Sequence, residues 1–155
     1  MSFSSSASST PPTRPSSPTA SSSSTAPGFG YEHDEAWKDN LRLFGELTDV
    51  TRGVRRLGAA AVDLCHVAEG IVDGYWEYRL KPWDMAAGCL ILTEAGGVCT
   101  TMTGDDFSVF DRSILCAGAD MHRALVPLTR ASVEKLVGLG VDMSRWFIPE
   151  GYQGL

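Results

Sequence analysis

Composition changes abruptly near Pro27, and this limits how much of the chain can fold. From Ser2 to Pro27 the sequence is almost entirely Ser, Thr, Pro and Ala, with Arg14 its only charged side chain. Such a segment buries too little apolar surface to offset the entropy of ordering it. Residues 1–27 are therefore expected to form a disordered leader, and residues 28–155 a folded domain. A Ser-rich, acid-free leader also has the character of a transit peptide, because import takes an unfolded, non-acidic segment. A plain low-complexity tail fits the same residues. The first reading implies a plastid address and the second a cytoplasmic one.

The remainder is long enough for one domain with a core. The chain is 43% hydrophobic and 21% charged, the balance of a soluble globular protein. Nineteen acidic residues against thirteen basic give a net charge of -6, which disfavours nucleic acid and anionic membranes as partners. Basic residues gather only at Arg52, Arg55 and Arg56. No run approaches the roughly 20 apolar residues that span a bilayer, and there is no apolar signal-peptide core, so a soluble intracellular protein is expected. Cys65, Cys89, Cys99 and Cys116 lie among Leu, Ile, Val and Ala with no Cys-x-x-Cys pair. They are expected to be core thiols, not a zinc or redox site.

Periodicity then sets out the elements. Asp34 to Leu47 predicts an amphipathic helix, with Trp37, Leu41, Phe44 and Leu47 on its apolar side. Gly58 to Glu69 predicts a second, Ala-rich helix whose small residues allow close packing. Tyr75-Trp76-Glu77-Tyr78 reads as a strand with Trp76 and Tyr78 on one face and Tyr75 and Glu77 on the other. Pro82 opens a third helix, Trp83 to Ala95, closed by Gly96-Gly97. Val98 to Met102 and Ile114 to Ala117 are strand-like. Asp120 is placed to cap a last helix running to about Val137, which Pro127 would end or kink unless it sits within the first turn. Arg145 to Pro149 is expected to lie back on the body as an apolar tail. Alternating helices and strands give a layered α/β or α+β sandwich.

Asp84 carries the main chemical signal. In the first turn of a helix, free N–H groups and the helix dipole stabilise a carboxylate. Taken alone it is a capping acid or a single magnesium ligand, since magnesium takes one or two carboxylates plus waters and substrate oxygens. Glu77 alone could be the solvent-facing residue of an edge strand. Glu94 reads as a surface acid, and Asp105-Asp106 as a solvated turn. His33, His66 and His122 share no ligand spacing.

The run Lys81-Pro-Trp-Asp-Met-Ala-Ala-Gly-Cys-Leu-Ile-Leu-Thr-Glu-Ala-Gly-Gly97 resembles the Trp-Asp signature of the inositol monophosphatase family, which are magnesium-dependent phosphatases of small phosphate monoesters. The likeness extends over roughly Gly28 to Phe147. Gly-Tyr-Glu-His-Asp near residue 30 and Phe107 to Ala117 are nearest to the family's plant inositol monophosphatase-like branch. The resemblance implies that Asp84 binds a catalytic Mg2+ and that Glu77, seven residues earlier, binds substrate hydroxyls. It also implies that the Arg56-Leu57-Gly58-Ala59-Ala60 run offers main-chain contacts to substrate, at Ala59 and Ala60. The implied fold is the C-terminal half of the family's αβαβα sugar-phosphatase sandwich.

The family's N-terminal half carries further metal-binding carboxylates, among them an Asp-Pro-x-Asp-Gly-Thr or -Ser motif, and this sequence has no Asp-Pro dipeptide. The resemblance therefore implies a truncated chain, either a shortened gene product or one missing upstream coding segments. Two expectations follow. One is part of a phosphatase acting on inositol 1-phosphate or a similar polyol or sugar phosphate, with histidinol phosphate, galactose 1-phosphate and fructose 1,6-bisphosphate as alternatives. The other is an inactive fragment acting through association, as a homo-oligomer or with a longer relative, since half a sandwich exposes apolar surface.

Overall fold

Both faces of a small antiparallel sheet are covered by helices. The computed structural model describes residues 34–152. The predicted leader, its boundary at residue 28, and Gly28 to His33 lie outside them. In chain order the elements are α1 (Glu35–Val50), α2 (Ala60–Ala68), β1 (Gly74–Tyr78), α3 (Pro82–Glu94), β2 (Val98–Thr100), β3 (Ser113–Ala117) and α4 (Ala119–Gly138). The sheet has strand order β1-β3-β2, with Trp76 opposite Leu115 on one side and Cys99 opposite Cys116 on the other.

The period-2 pattern of β1 divides the core as expected. Trp76, Tyr78 and Leu115 pack with Leu43 and Leu47 of α1 and Leu125, Val133 and Leu136 of α4. Tyr75, Ile114 and Cys116 face the opposite way, onto Leu64 and Val67 of α2 and Met85, Cys89 and Leu92 of α3. The result is a helix–sheet–helix sandwich, the predicted class.

α1 is turned about its axis relative to the predicted apolar side. Leu41 is exposed, whereas Ala36, Asp39, Asn40, Leu43 and Leu47 are buried. The polar pair is buried because it finds partners there. The Trp76 indole donates to Asn40 Oδ1 at 3.2 Å, and the Tyr78 hydroxyl to Asp39 Oδ2 at 3.2 Å. Arg42 binds Asp39 at 2.9 Å and Ser132 of α4 at 2.6 Å. Hydrogen bonds to a charged acceptor make burial of these positions tolerable.

Asp34 caps α1 by accepting from the Trp37 N–H at 2.9 Å, and it also pairs with Arg79. Burial raises its carboxyl, but the Trp37 N–H and the Arg79 guanidinium outweigh this and hold it below the ordinary carboxylate range. A group depressed in the folded state contributes stability present above its unfolded pKa and lost as pH falls through its folded value. Asp34→Asn, which keeps a capping oxygen, should therefore flatten the acid limb of stability against pH. Urea midpoints that fall in parallel for both proteins would show that Asp34 carries none of it.

α4 passes through Pro127 without ending. An interior proline costs ~3 kcal/mol, yet Leu125, Thr129, Ser132, Val133 and Leu136 are buried along the helix. Pro127 and Arg123, whose carbonyl loses its helical partner, are both exposed, so water can serve that carbonyl. The cap of α4 is Gly118; Asp120 lies in the first turn and pairs with Arg123.

The C-terminal tail does fold back, through Trp146. Its main-chain N–H donates to Phe110 O and its indole to Leu80 O, both at 2.8 Å. Lys81 Nζ lies 3.2 Å and the Arg112 guanidinium 3.8 Å from the ring centroid. Phe147, by contrast, is exposed.

Candidate functional site

α2 begins with an open N-terminus. Gly58, at φ +89°, takes a left-handed conformation that favours glycine and turns the chain into the helix. Ala59 is the N-cap and supplies no side-chain capping bond; its carbonyl accepts from the Asp63 N–H at 2.9 Å. The N–H groups of the first turn are thus left for an outside acceptor. Ala59 is exposed and Ala60 half-buried.

Glu77 is 0% exposed, so the edge-strand reading is overturned. It sits in β1, which is an edge of this sheet, but on the face that α2 and α3 cover. Its Oε2 accepts from the Tyr75 hydroxyl two residues earlier, on the same face. Burial, together with the Glu77 and Asp63 carboxylates, pushes the Tyr75 phenol far above its usual range, so it remains a donor. Asp63, in the first turn of α2, is 3% exposed. Glu77, Tyr75 and Asp63 are thus three buried polar side chains in the region where α2 packs on β1.

Asp84 occupies the third position of α3, behind Pro82 at the first. Its Oδ2 accepts from the Lys81 N–H at 2.9 Å, and its own N–H donates to the Lys81 carbonyl at 2.9 Å. This reciprocal pair fixes the carboxylate at the helix mouth, half-buried. The three residues between β1 and α3 hold the turn. Arg79, at φ +61°, is the one non-glycine among the described residues in the left-handed region, a strain of ~1–3 kcal/mol. Its N–H bonds Arg112 O at 2.6 Å and its guanidinium binds Asp34.

Glycine sets the approach of α2 to α3. A Cβ at Gly88 would lie 2.7 Å from both Cβ and Cδ1 of Leu64, so the helices cross where only a hydrogen fits. Leu64 is one turn beyond Ala60, and Gly88 one turn beyond Asp84. Three residues separate β1 from α3, and Leu64 and Val67 of α2 pack with Tyr75 of that strand. Ala59 and Ala60 at the start of α2, Glu77 in β1 and Asp84 at the start of α3 thus belong to one layer, each helix start lying one turn from the Leu64–Gly88 crossing. The start of α2 presents a positive dipole end and free N–H groups, a setting that suits an anion. The start of α3, by contrast, is closed by Pro82 and the reciprocal Lys81–Asp84 bonds.

Sequence reasoning missed Asp63, although its position as the one acid in an apolar helix was a signal. It also missed that Trp146 packs on Lys81, beside Asp84. The expected core thiols do lie in the core, but sequence reasoning missed that Cys89, Cys99 and Cys116 also converge, with every Sγ within 4.8 Å of the others. They come from α3, β2 and β3, so no local spacing could show it. Hydrogen bonds from Cys116 and Cys89 hold the Cys99 thiol below its ordinary range, and burial pushes that of Cys116 up. Beside them lies a cavity of about 570 Å³, which includes none of Ala59, Ala60, Glu77 or Asp84. No helix among the described residues is long and apolar enough to cross a membrane.

Residues 4–136 match the profile of the inositol monophosphatase family. Over 125 residues the chain is 62% identical to the Arabidopsis thaliana protein named Phosphatase IMPL1, chloroplastic, covering 81% of this chain and 34% of that one. Over 98 residues it is 42% identical to the inositol-1-monophosphatase of Synechocystis, covering 63% and 34%. The solved inositol monophosphatase of Anabaena superposes with a TM-score of 0.64 at 36% identity, covering 76% of this chain and 44% of that one. The chain thus spans about a third of the length of these curated relatives. On this match the chain belongs to the inositol monophosphatase family.

Proposed function

We propose that this chain supplies the substrate-facing C-terminal part of a Mg2+-dependent phosphatase acting on inositol 1-phosphate or a closely similar polyol or sugar phosphate. Members of the family act on small phosphate esters and are generally metal-dependent. The observation that carries the reading is the open N-terminus of α2, whose helix packs through Leu64 against Gly88 of the helix that carries Asp84 in its first turn. Main-chain N–H groups at Ala59 and Ala60 bind and orient the anionic ester. Glu77 is assigned to substrate hydroxyls by the family resemblance; in the described residues it is enclosed and held by Tyr75, so reaching substrate requires it to turn out of that contact. Asp84 is the metal ligand.

The described residues fit one corner of a magnesium site. Asp84 offers a hard oxygen at a helix mouth, but among the described residues no group of three acids converges. A bound magnesium would supply an activated water and charge neutralisation. This chain's described residues contribute binding, orientation and exclusion of water. The chloroplastic designation of the Arabidopsis relative supports a plastid address.

A second reading rests on α3, which is apolar on both sides. Met85, Cys89 and Leu92 face the core, while Trp83, Leu90 and Ile91 are exposed, Trp83 by 78%. A helix apolar all round is one that is buried in a larger body. Self-association, or pairing with a longer relative, would cover it.

Thermal unfolding with Mg2+ and inositol 1-phosphate together tests the first reading. Ligands that bind the native state raise Tm. The wild-type chain should shift upward, and Asp84→Asn and Glu77→Gln should each lose most of that shift. Equal shifts in all three proteins would remove both residues from the site. Phosphate release should stay at the Asp84→Asn baseline for the chain alone; turnover abolished by Asp84→Asn would overturn the inactive-fragment reading.

A further inference from the structure

The three converging thiols are different residues from those assigned to the phosphate ester, although Cys116 lies opposite Tyr75 in the β1–β3 ladder. Cys99 and Cys116 are directly opposed in the β2–β3 ladder, and Cys89 reaches them from α3 on the covered face of the sheet. The Cys116 thiol donates to Cys99 Sγ across 2.9 Å, and all three sulfurs lie within 4.8 Å of one another. Cys65, on α2, is outside the group. Thiols that merely fill a core need only contact apolar neighbours. Here three separate, rigid elements aim their sulfurs at one point.

That point has access. Cys89 and Cys99 form part of the wall of the 570 Å³ cavity, with Ala86, Thr93, Phe107 and Arg145. Cys99 is half-buried, whereas Cys116 is fully enclosed. An ion entering from the cavity meets two sulfurs at the wall and the third behind them.

We propose that Cys89, Cys99 and Cys116 form a binding site for one thiophilic d10 cation of the Zn2+ or Cd2+ type, with the cavity side left open as a fourth position. At a Zn–S distance of about 2.3 Å, tetrahedral geometry puts sulfurs about 3.8 Å apart. To reach that spacing the Cys99–Cys116 pair, at 2.9 Å, must open, while the other two pairs lie no more than 4.8 Å apart. An all-sulfur donor set selects soft ions and rejects magnesium, so this site is chemically independent of Asp84. Binding replaces the thiol protons with the cation, and these leave to solvent. With α3 on one side and two strands on the other, the ion would cross-link the signature helix to the sheet.

Cd2+ is the probe, because its thiolate complexes absorb in the near ultraviolet where the free ion does not. The whole chain, reduced with a phosphine instead of a competing thiol, should develop this absorption and saturate at one equivalent. Cys89→Ser and Cys99→Ser should each weaken binding by at least about tenfold, the loss expected even for residues that only support a metal ligand. Cys65→Ser and Asp84→Asn should bind as wild type, which separates this site from the phosphatase reading. Cys99→Ala serves as a second variant, and circular dichroism reports whether each remains folded. Co2+ should give the strong visible bands of a four-coordinate sulfur site. No charge-transfer absorption in the folded, reduced chain would overturn the proposal, as would full-affinity binding in a folded Cys99 variant or loss of binding in Cys65→Ser.

Discussion

Trp76→Ala should cost ~3–5 kcal/mol of unfolding free energy, a large part of the ~5–15 kcal/mol that holds an ordinary domain. The indole is fully buried in β1, within the cluster that joins α1, α4 and the sheet. Truncation removes that packing, leaves a cavity the surrounding helices only partly close, and strips Asn40 Oδ1 of its donor. Trp76→Phe separates the contributions. It keeps most of the apolar volume and loses the N–H, so it should cost the ~1–3 kcal/mol of an unsatisfied buried acceptor. Urea titrations of both variants provide the measurement, with the slope m unchanged. A loss below about 1 kcal/mol for Trp76→Ala would show that this face is loosely packed.

What could be read from the sequence was what the chain repeats locally. Helical spacing predicted α1, α2 and α3 to within a few residues, because Asp34, Gly58, Pro82 and Gly96-Gly97 punctuate them. Alternation in Tyr75 to Tyr78 assigned both faces of β1 correctly. The misreadings all required partners distant in sequence. Leu41 lost its place to Asp39 and Asn40, because Tyr78 and Trp76 offered those polar groups hydrogen bonds inside the core. Glu77 was buried by α2 and α3, although its strand lies at a sheet edge. Cys89, Cys99 and Cys116 are separated by ten and seventeen positions, and they meet only when β2 and β3 pair beneath α3.

Gly88→Val tests whether the crossing of α2 and α3 governs the candidate site as well as stability. Valine places a Cβ about where the Leu64 side chain already lies, and two further methyl groups beyond it. Overpacking of this kind costs ~1–3 kcal/mol, whereas a small residue in a helix interior would otherwise gain up to ~1 kcal/mol over glycine. The steric cost prevails, because Leu64 Cβ is anchored to its own helix and cannot swing away. A net loss near ~2 kcal/mol is expected for Val, and less for Gly88→Ala. The functional consequence follows from position: Gly88 touches none of the assigned ligands, yet it fixes the separation between the helix start at Ala59-Ala60 and the one at Asp84. If the helices part, the Mg2+-plus-ester rise in Tm should shrink in Gly88→Val even when both chains are compared at temperatures where they are equally folded. A fully retained rise beside a lowered Tm would mean that the two helix mouths act independently, and Asp84 would then need no fixed relation to the start of α2.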